Sequence, residues 1–506
     1  MKILFLYPNA NSQLGFNYGV AHMSAVLKEA GHHVEFRQLC DDLGPLPSRE
    51  EFTRYLEEVR PDLIGFSVVT NQWSYAQTLA RWAREAVAAP LVIGGIHATV
   101  AAREILETRL FDYVFRGECE EAFLEFVEKF DRGEDLYNIP NLALVHQEAI
   151  RINPMRRLPD LAALPPKDYK IFNFQEMIDA KGGWVGLMGS RGCPFSCTYC
   201  FNHQMVDQYR MDLRCGFREL GYIRHFPVDQ VIAEIEYLLK NYRNIRMFIF
   251  DDDLFTYRKS YVKDFCREYR RVSDIPFVVN AHVGFFDEDR ARYLAEANCR
   301  IVKFGVESGN ERVRRRIMNR YTSNDKILQS IRIARDFGLH TSIFLMIGLP
   351  FETREDVMDT IRLTATAGPG RFRWSFFFPF PGTRAYELSL EGGYIDREKM
   401  NTLMNFTDSS CLRFGEKHDL FLEKVGRVLP WFVNAYSDLP VREYYRERVE
   451  KILALSSSQW RQISPTLLDE DRILSEAFAQ KGLPHYAVKY NRFMGVISDY
   501  FLQDRE

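Results

Sequence analysis

Cysteine is scarce in this chain, nine among 506 residues. Long apolar runs are missing too: Ile343 to Leu349 stops far short of the ~20 residues that span a bilayer. MKILFLYP is broken by Pro8 before it could serve as a signal peptide. Those two absences point to a cytoplasmic protein without a transmembrane segment, where thiols stay reduced and clustered cysteines bind metal more often than they pair. There is no excess of either charge, with 66 Lys and Arg against 69 Asp and Glu. A surface built to grip phosphates needs a basic excess, so nucleic acid is not the expected partner. No G-x-G-x-x-G follows the first strand, which removes the main support for a dinucleotide site. What remains is a globular composition, 46% hydrophobic and 27% charged, in a chain long enough for two or three cores.

The first 140 residues alternate strands with helices. KILFLY, HHVEFRQL, DLIGFSVV, PLVIGG and DYVFRG are short apolar runs, and helical periodicity fills the stretches between them. This rhythm predicts a doubly wound parallel sheet, Rossmann-like, with ligands at the carboxyl ends of the strands. Asn9, Thr70, Gly94, Gly95, His97 and Glu118 stand at those ends. From 141 to 183 the periodicity fades, and LPDLAAL followed by PPKDYK predicts an extended connector.

A strand at Trp184 to Met188 then leads into SRGCPFSCTYCFNH, where three of the nine cysteines, Cys193, Cys197 and Cys200, fall within eight residues. Zinc usually takes four ligands in two separated pairs, and there is no second C-x-x-C. Three thiolates can instead hold three irons of a four-iron four-sulfur cluster and leave the fourth open to a chelating ligand. Downstream to about residue 390, strands and helices alternate as a partial (β/α)6 barrel requires, with function at the strand C-termini. IRMFIF ends in Asp251, Asp252 and Asp253, PFVVNAH reaches His282, RIVKFGVES ends in Glu307, and TSIFLMIGLP carries Gly348. Three successive aspartates could bind a divalent cation or form a solvated loop. His282 is a candidate for a catalytic role by location alone. Arg320 lies in RVRRRIMNR, which reads as the basic face of an exposed helix, although a cofactor carboxylate is an alternative partner for it. Cys215, Cys266, Cys299 and Cys411 lack metal spacing and read as small buried hydrophobes. Residues 391–506 become helical and aromatic-rich, either as a packing domain or as a cap over a substrate pocket.

C-x3-C-x2-C with Tyr199 before its last cysteine resembles the signature of the radical S-adenosylmethionine superfamily. YGVAHMSAVLKEAGHHVE, GGIHATV and DYVFRGECEEAF resemble the cobalamin-binding domain that precedes many such barrels. The resemblance implies a [4Fe-4S] cluster on Cys193, Cys197 and Cys200 as metal ligands. It implies S-adenosylmethionine near Tyr199, Asp251, Asp253, Glu307 and Gly348, and cobalamin near Asn9, Thr70, Gly94, Gly95, His97 and Glu118. Because D-x-H-x-x-G is absent, cobalamin is expected without a protein histidine on cobalt. The implied partners are a small-molecule substrate and a reducing protein such as flavodoxin or ferredoxin. The implied activity is methyl transfer to an unactivated carbon or phosphorus, with radical cyclisation or ring rearrangement as one alternative and a non-catalytic iron-sulfur or cobalamin sensor as another.

Overall fold

The computed structural model describes residues 1–403, 409–491 and 495–500. The chain divides into two compact units, residues 1–195 with 200–248, and residues 196–199 with 249–506. In the first unit, β1 (Lys2–Pro8), β2 (His33–Leu39), β3 (Leu63–Ser67), β4 (Leu91–Gly94) and β5 (Tyr113–Phe115) run parallel. Ile3 to Leu6 are all buried, the continuous apolar run of a strand covered on both faces. The helix Trp73–Ala86 buries Ala76, Leu79, Ala80 and Ala83, a single stripe at helical spacing. Ser48 and Glu51 close a capping box at the start of the helix Arg49–Val59. The strand order is β2-β1-β3-β4-β5, so the chain switches direction between β1 and β3. Such a switch opens a crevice at the strand C-termini, where Asn9 and Thr70 stand.

The connector expected at 141–183 begins differently. Its first residues form β6 (Leu142–His146) and β7 (Ala149–Ile152), which pair antiparallel and extend the sheet from β5. The turn between them puts Gln147 and Glu148 at φ of 47° and 64°. Hairpin turns with two positive φ values normally advertise themselves as Asn-Gly or Asp-Gly, and this one does not. After the helix Phe174–Ala180 come β8 (Trp184–Leu187) and β9 (Ser190–Arg191), and β9 pairs antiparallel with β10 (Arg224–His225).

β11 (Met247–Phe250) leads into the second unit. There β12 (Phe277–Ala281), β13 (Cys299–Glu307), β14 (His340–Ile347) and β15 (Arg371–Phe376) form a parallel ladder. Strand–helix repeats from β8 to β15 follow one another in the order of a partial barrel. Val302, Phe304 and Val306 of β13 are buried, with Phe304 against Phe286 at 5.0 Å. Period-two alternation turns Lys303, Gly305 and Glu307 to the opposite, inner face. On that face Lys303 is in register with Ser342 and Ser342 with Arg371, and one row on, Gly305 pairs with Phe344 and Phe344 with Arg373.

Beyond residue 390 the chain is mainly helical, as expected, but it ends in β16 (Tyr486–Asn491) and β17 (Gly495–Tyr500), with β17 antiparallel to β15. The long helix Glu416–Tyr436 breaks at Val428, just before Pro430. Proline has no N–H for the carbonyl four residues earlier, and the Trp374 indole donates to that carbonyl, Gly426 O, at 2.8 Å. No helix among the described residues is long and apolar enough to cross a membrane.

Candidate functional site

The cysteine loop is held by backbone carbonyls and one guanidinium. In the second unit, Thr198 donates through Oγ1 to Ile317 O at 2.5 Å and through its N–H to Met318 O at 3.2 Å. Asn319 Nδ2 donates to Ser196 O at 2.9 Å. These bonds seat residues 196–199 on the π-helical turn Val313–Ile317, and the chain leaving that turn carries Arg320. Contrary to the exposed-helix reading, Arg320 is buried. Its Nη1 reaches Cys197 Sγ at 3.5 Å and Tyr199 Oη at 3.3 Å, and its Nη2 donates to Gly305 O at 2.6 Å. A wide π turn shifts the phase of the side chains that follow, so the basic run does not lie on one face. Arg314 in the same run is also buried, bonded to Ser308 O and Asn324 Oδ1.

In the first unit, Cys200 caps the helix Phe201–Leu213, and its sulfur accepts from Asn202 N–H at 3.5 Å. Positive charge from Arg320 at one sulfur and a helix N-terminus at another suit thiolate ligands to iron. No three thiol, imidazole or carboxylate groups converge among the described residues as a single-ion site would need; a cubane spreads its thiolates over separate iron atoms. Cys266, Cys299 and Cys411 are buried, and burial pushes each thiol well up, which matches their reading as small hydrophobes.

Around Arg320 lie two further candidate S-adenosylmethionine residues. Tyr199 packs on the cluster of Val313, Ile317, Met318, Leu349 and Phe377. Glu307 ends β13 at φ +67°, and burial holds its carboxyl above the usual range despite Arg320. A Cβ on Gly305 would meet Glu307 Oε1 at 2.5 Å, so a larger residue there would displace the Glu307 carboxylate. The N–H groups of Gly348 and Leu349 donate to Glu352 Oε2 at 2.7 and 3.2 Å. Burial pushes Glu352 up to about 8, and sequence reasoning passed over this residue as the anchor of the GLP turn. Asp251 and Asp253 are exposed at the end of β11, while Asp252 is buried and its carbonyl accepts from Asn280 Nδ2 at 2.8 Å. His282 Nδ1 accepts from Gly284 N–H at 3.0 Å. Burial, then Arg320, pushes this imidazole down to about 3, so His282 is a neutral cap on the turn after β12.

The cobalamin candidates sort into two kinds. Thr70 Oγ1 and both ring nitrogens of His97 are buried with no hydrogen-bond partner, and the His97 ring lies 4.8 Å from that of Trp73. Burial pushes His97 down to about 4. Gly95 has φ +96°, and a Cβ there would strike Val68 O at 2.7 Å; neighbouring Gly94 is partly buried. Unspent neutral polar groups beside a bare backbone fit a ligand rimmed with amides, as cobalamin is. Asn9 and Glu118 differ, since their side chains are already engaged. Asn9 Nδ2 donates to Gln13 O at 2.9 Å, and Glu118 takes Arg191 and Arg224.

Sequence reasoning also missed Arg373. On the inner face of β15 its guanidinium sits 5.6 Å over the Phe344 ring. Burial, then Arg371, pushes it down to about 10.

Residues 187–364 match the radical SAM superfamily, and residues 12–127 match the B12 binding domain. An uncharacterised methyltransferase of Pyrococcus horikoshii is 29% identical over 77% of this chain and 83% of its own length. An anaerobic magnesium-protoporphyrin IX monomethyl ester cyclase of Cereibacter sphaeroides is 26% identical over 83% of this chain and 69% of its own. The structure of the radical S-adenosylmethionine methyltransferase TsrM from Kitasatospora setae, with cobalamin and a [4Fe-4S] cluster bound, shares the fold at a TM-score of 0.61. It is 17% identical and covers 89% of this chain and 99% of that one. The chain belongs to the cobalamin-binding radical S-adenosylmethionine enzymes, whose cofactors are a [4Fe-4S] cluster, S-adenosylmethionine and cobalamin.

Proposed function

We propose that the protein is a methyltransferase that acts on an unactivated carbon, or phosphorus, of a small molecule. When bound, the cluster with S-adenosylmethionine supplies a carbon-centred radical, and cobalamin supplies a carrier for the methyl group. The protein's part is position and charge. Arg320 carries the reading: a buried cation touching Cys197 and Tyr199 can pair with the cofactor carboxylate while the tyrosine ring lies against adenine. Glu307, protonated more readily than a free carboxyl, is placed for a ribose hydroxyl. Asp251 and Asp253, exposed at the end of β11, would take the amine, and the GLP turn fixed by Glu352 would border adenine. Cys193, Cys197 and Cys200 would hold the cluster, and Thr70, Gly95 and His97 would hold the corrin amides. His282 caps its turn, where burial and Arg320 favour the neutral imidazole. Arg373, without a carboxylate partner among the described residues, suits a carboxylate or phosphate on the substrate.

The methyltransferase name of the Pyrococcus horikoshii relative supports methyl transfer. The cyclase name of the Cereibacter sphaeroides relative keeps ring closure as the second reading. The boundaries 1–140, 141–183, 184–390 and 391–506 remain our working division into cobalamin, connecting, barrel and C-terminal parts. Product analysis separates the two activities. Methyl transfer yields S-adenosylhomocysteine and 5′-deoxyadenosine in about equal amounts per turnover, because one cofactor molecule gives methyl and another gives the radical. Steady 5′-deoxyadenosine with no S-adenosylhomocysteine and no labelled methyl in the product would overturn methyl transfer in favour of cyclisation.

A further inference from the structure

We propose that Glu118 is a positioning residue for the iron-sulfur loop and not a contact to cobalamin. Its two carboxylate oxygens are both spent, one on Arg191 and the other on Arg224. These arginines face one another across the β9–β10 pair. Arg191 also bonds Glu120 Oε1 at 2.8 Å, so two guanidinium and two carboxylate charges balance within one buried cluster. Arg191 lies two residues before Cys193. Between them Gly192 has φ +94°, and a Cβ there would fall 2.4 Å from Tyr222 O, which leaves the entry to the loop little freedom.

The same residue also grips the exit. Glu118 donates its backbone N–H to Tyr209 Oη at 2.7 Å, and Tyr209 belongs to the helix Phe201–Leu213 that starts directly after Cys200. Around this node Gly117 N–H donates to Thr99 Oγ1 at 2.8 Å, and Asn141 Nδ2 donates to Glu118 O at 3.2 Å. One residue at the end of β5 therefore fastens both the segment entering the cysteine loop and the helix leaving it. Thr70 and His97 keep polar atoms without a partner for the corrin amides, whereas each Glu118 oxygen already accepts from a guanidinium. The inference rests on the cofactor set and holds for methyl transfer and cyclisation alike.

The test uses the full-length protein, loaded anaerobically with iron, sulfide and hydroxocobalamin, and reads iron and cobalamin per chain together with the electron paramagnetic resonance spectrum of the reduced cluster. For Glu118→Gln we expect iron to fall below about half of wild type, as a buried guanidinium loses its charge partner. Cobalamin per chain should stay unchanged, which also shows that the fold survives. Glu118→Asp should recover part of the iron, and Tyr209→Phe should alter the cluster spectrum with both cofactors present. Loss of cobalamin with iron retained would overturn the proposal, and so would two full cofactors with an unchanged spectrum. If Glu118→Gln yields no soluble protein, Tyr209→Phe decides by the same two criteria.

Discussion

The two units meet their cofactors with opposite chemistry. Among the cobalamin candidates of the first, the groups left without partners are neutral: the Thr70 hydroxyl and the His97 imidazole, which burial holds uncharged. In the second, charge gathers around the sulfur, with Arg320 on Cys197 and Glu307 close by. The difference follows from the ligands. Cobalamin presents a ring of amides, which ask for hydrogen bonds without charge, whereas S-adenosylmethionine presents an amine and a carboxylate, and the cluster an open iron.

Replacing Cys193, Cys197 or Cys200 with alanine tests the contrast most severely. Each change should abolish the cluster and 5′-deoxyadenosine formation while cobalamin stays bound, as iron analysis and absorption spectra would show; loss of cobalamin instead would erase the separation. Arg320→Met comes next. Removing one partner of a buried charged contact costs about 2–5 kcal/mol, so S-adenosylmethionine affinity should fall by roughly 30-fold or more, measured by equilibrium dialysis, with cobalamin affinity untouched. In the first unit, Thr70→Val and His97→Phe each remove a neutral hydrogen bond worth about 1 kcal/mol. Cobalamin affinity should weaken about fivefold with iron unchanged, and the cob(II)alamin spectrum should show no histidine coupling in wild type or variant.

The remaining effects concern pH, and here the units differ in sign. His22 is buried and pushed down to about 2 by burial, then by Lys167 and Arg191. Below about pH 6.5 the unfolded chain takes a proton that the folded one refuses, so stability falls on acidification, by about 2 kcal/mol from pH 6.5 to 5. Asp471 in the second unit is buried and pushed up to about 6, chiefly by burial. Its folded form holds a proton more tightly, so its contribution is full at low pH and is lost as pH rises through about 6. From pH 7.5 to 5 it should return about 1 kcal/mol. Hydrogen exchange of the helices 18–29 and 467–480 across that range should therefore move in opposite directions; parallel movement would refute the assignment.

Much of this was legible beforehand, for reasons that differ by residue. The parallel strands of both sheets announced themselves as apolar runs, and the cysteine triplet by spacing too tight for chance in a cysteine-poor chain. The β6–β7 hairpin escaped because Gln147 and Glu148 occupy a turn that usually demands glycine or asparagine. Arg320 escaped because a π turn changes the phase of a helix without marking the sequence. For Arg373 the alternation in RFRWSF does separate two faces. In a barrel both faces of a strand are covered, however, and polarity alone does not say which one looks inward. Glu118 was found by its place at a strand end, but its partners come from about 70 and 100 residues away, and local pattern carries no trace of them.

The hairpin has a further consequence for how the protein behaves in concentrated solution. β7 ends the strand order of the first sheet, so one row of its amides has no neighbouring strand and could template the addition of another chain. Ile152 and, on β6, Val145 are exposed beside it, a pairing that invites self-association. Arg151 interrupts that surface, braced by Asn153 Oδ1 at 2.9 Å and Asn138 Oδ1 at 2.6 Å. A long cation held rigidly on a bare edge acts as a gatekeeper against stacking. The strand that escaped notice in the sequence thus carries its own guard against edge pairing, and Arg151→Val should lower the concentration at which the protein aggregates.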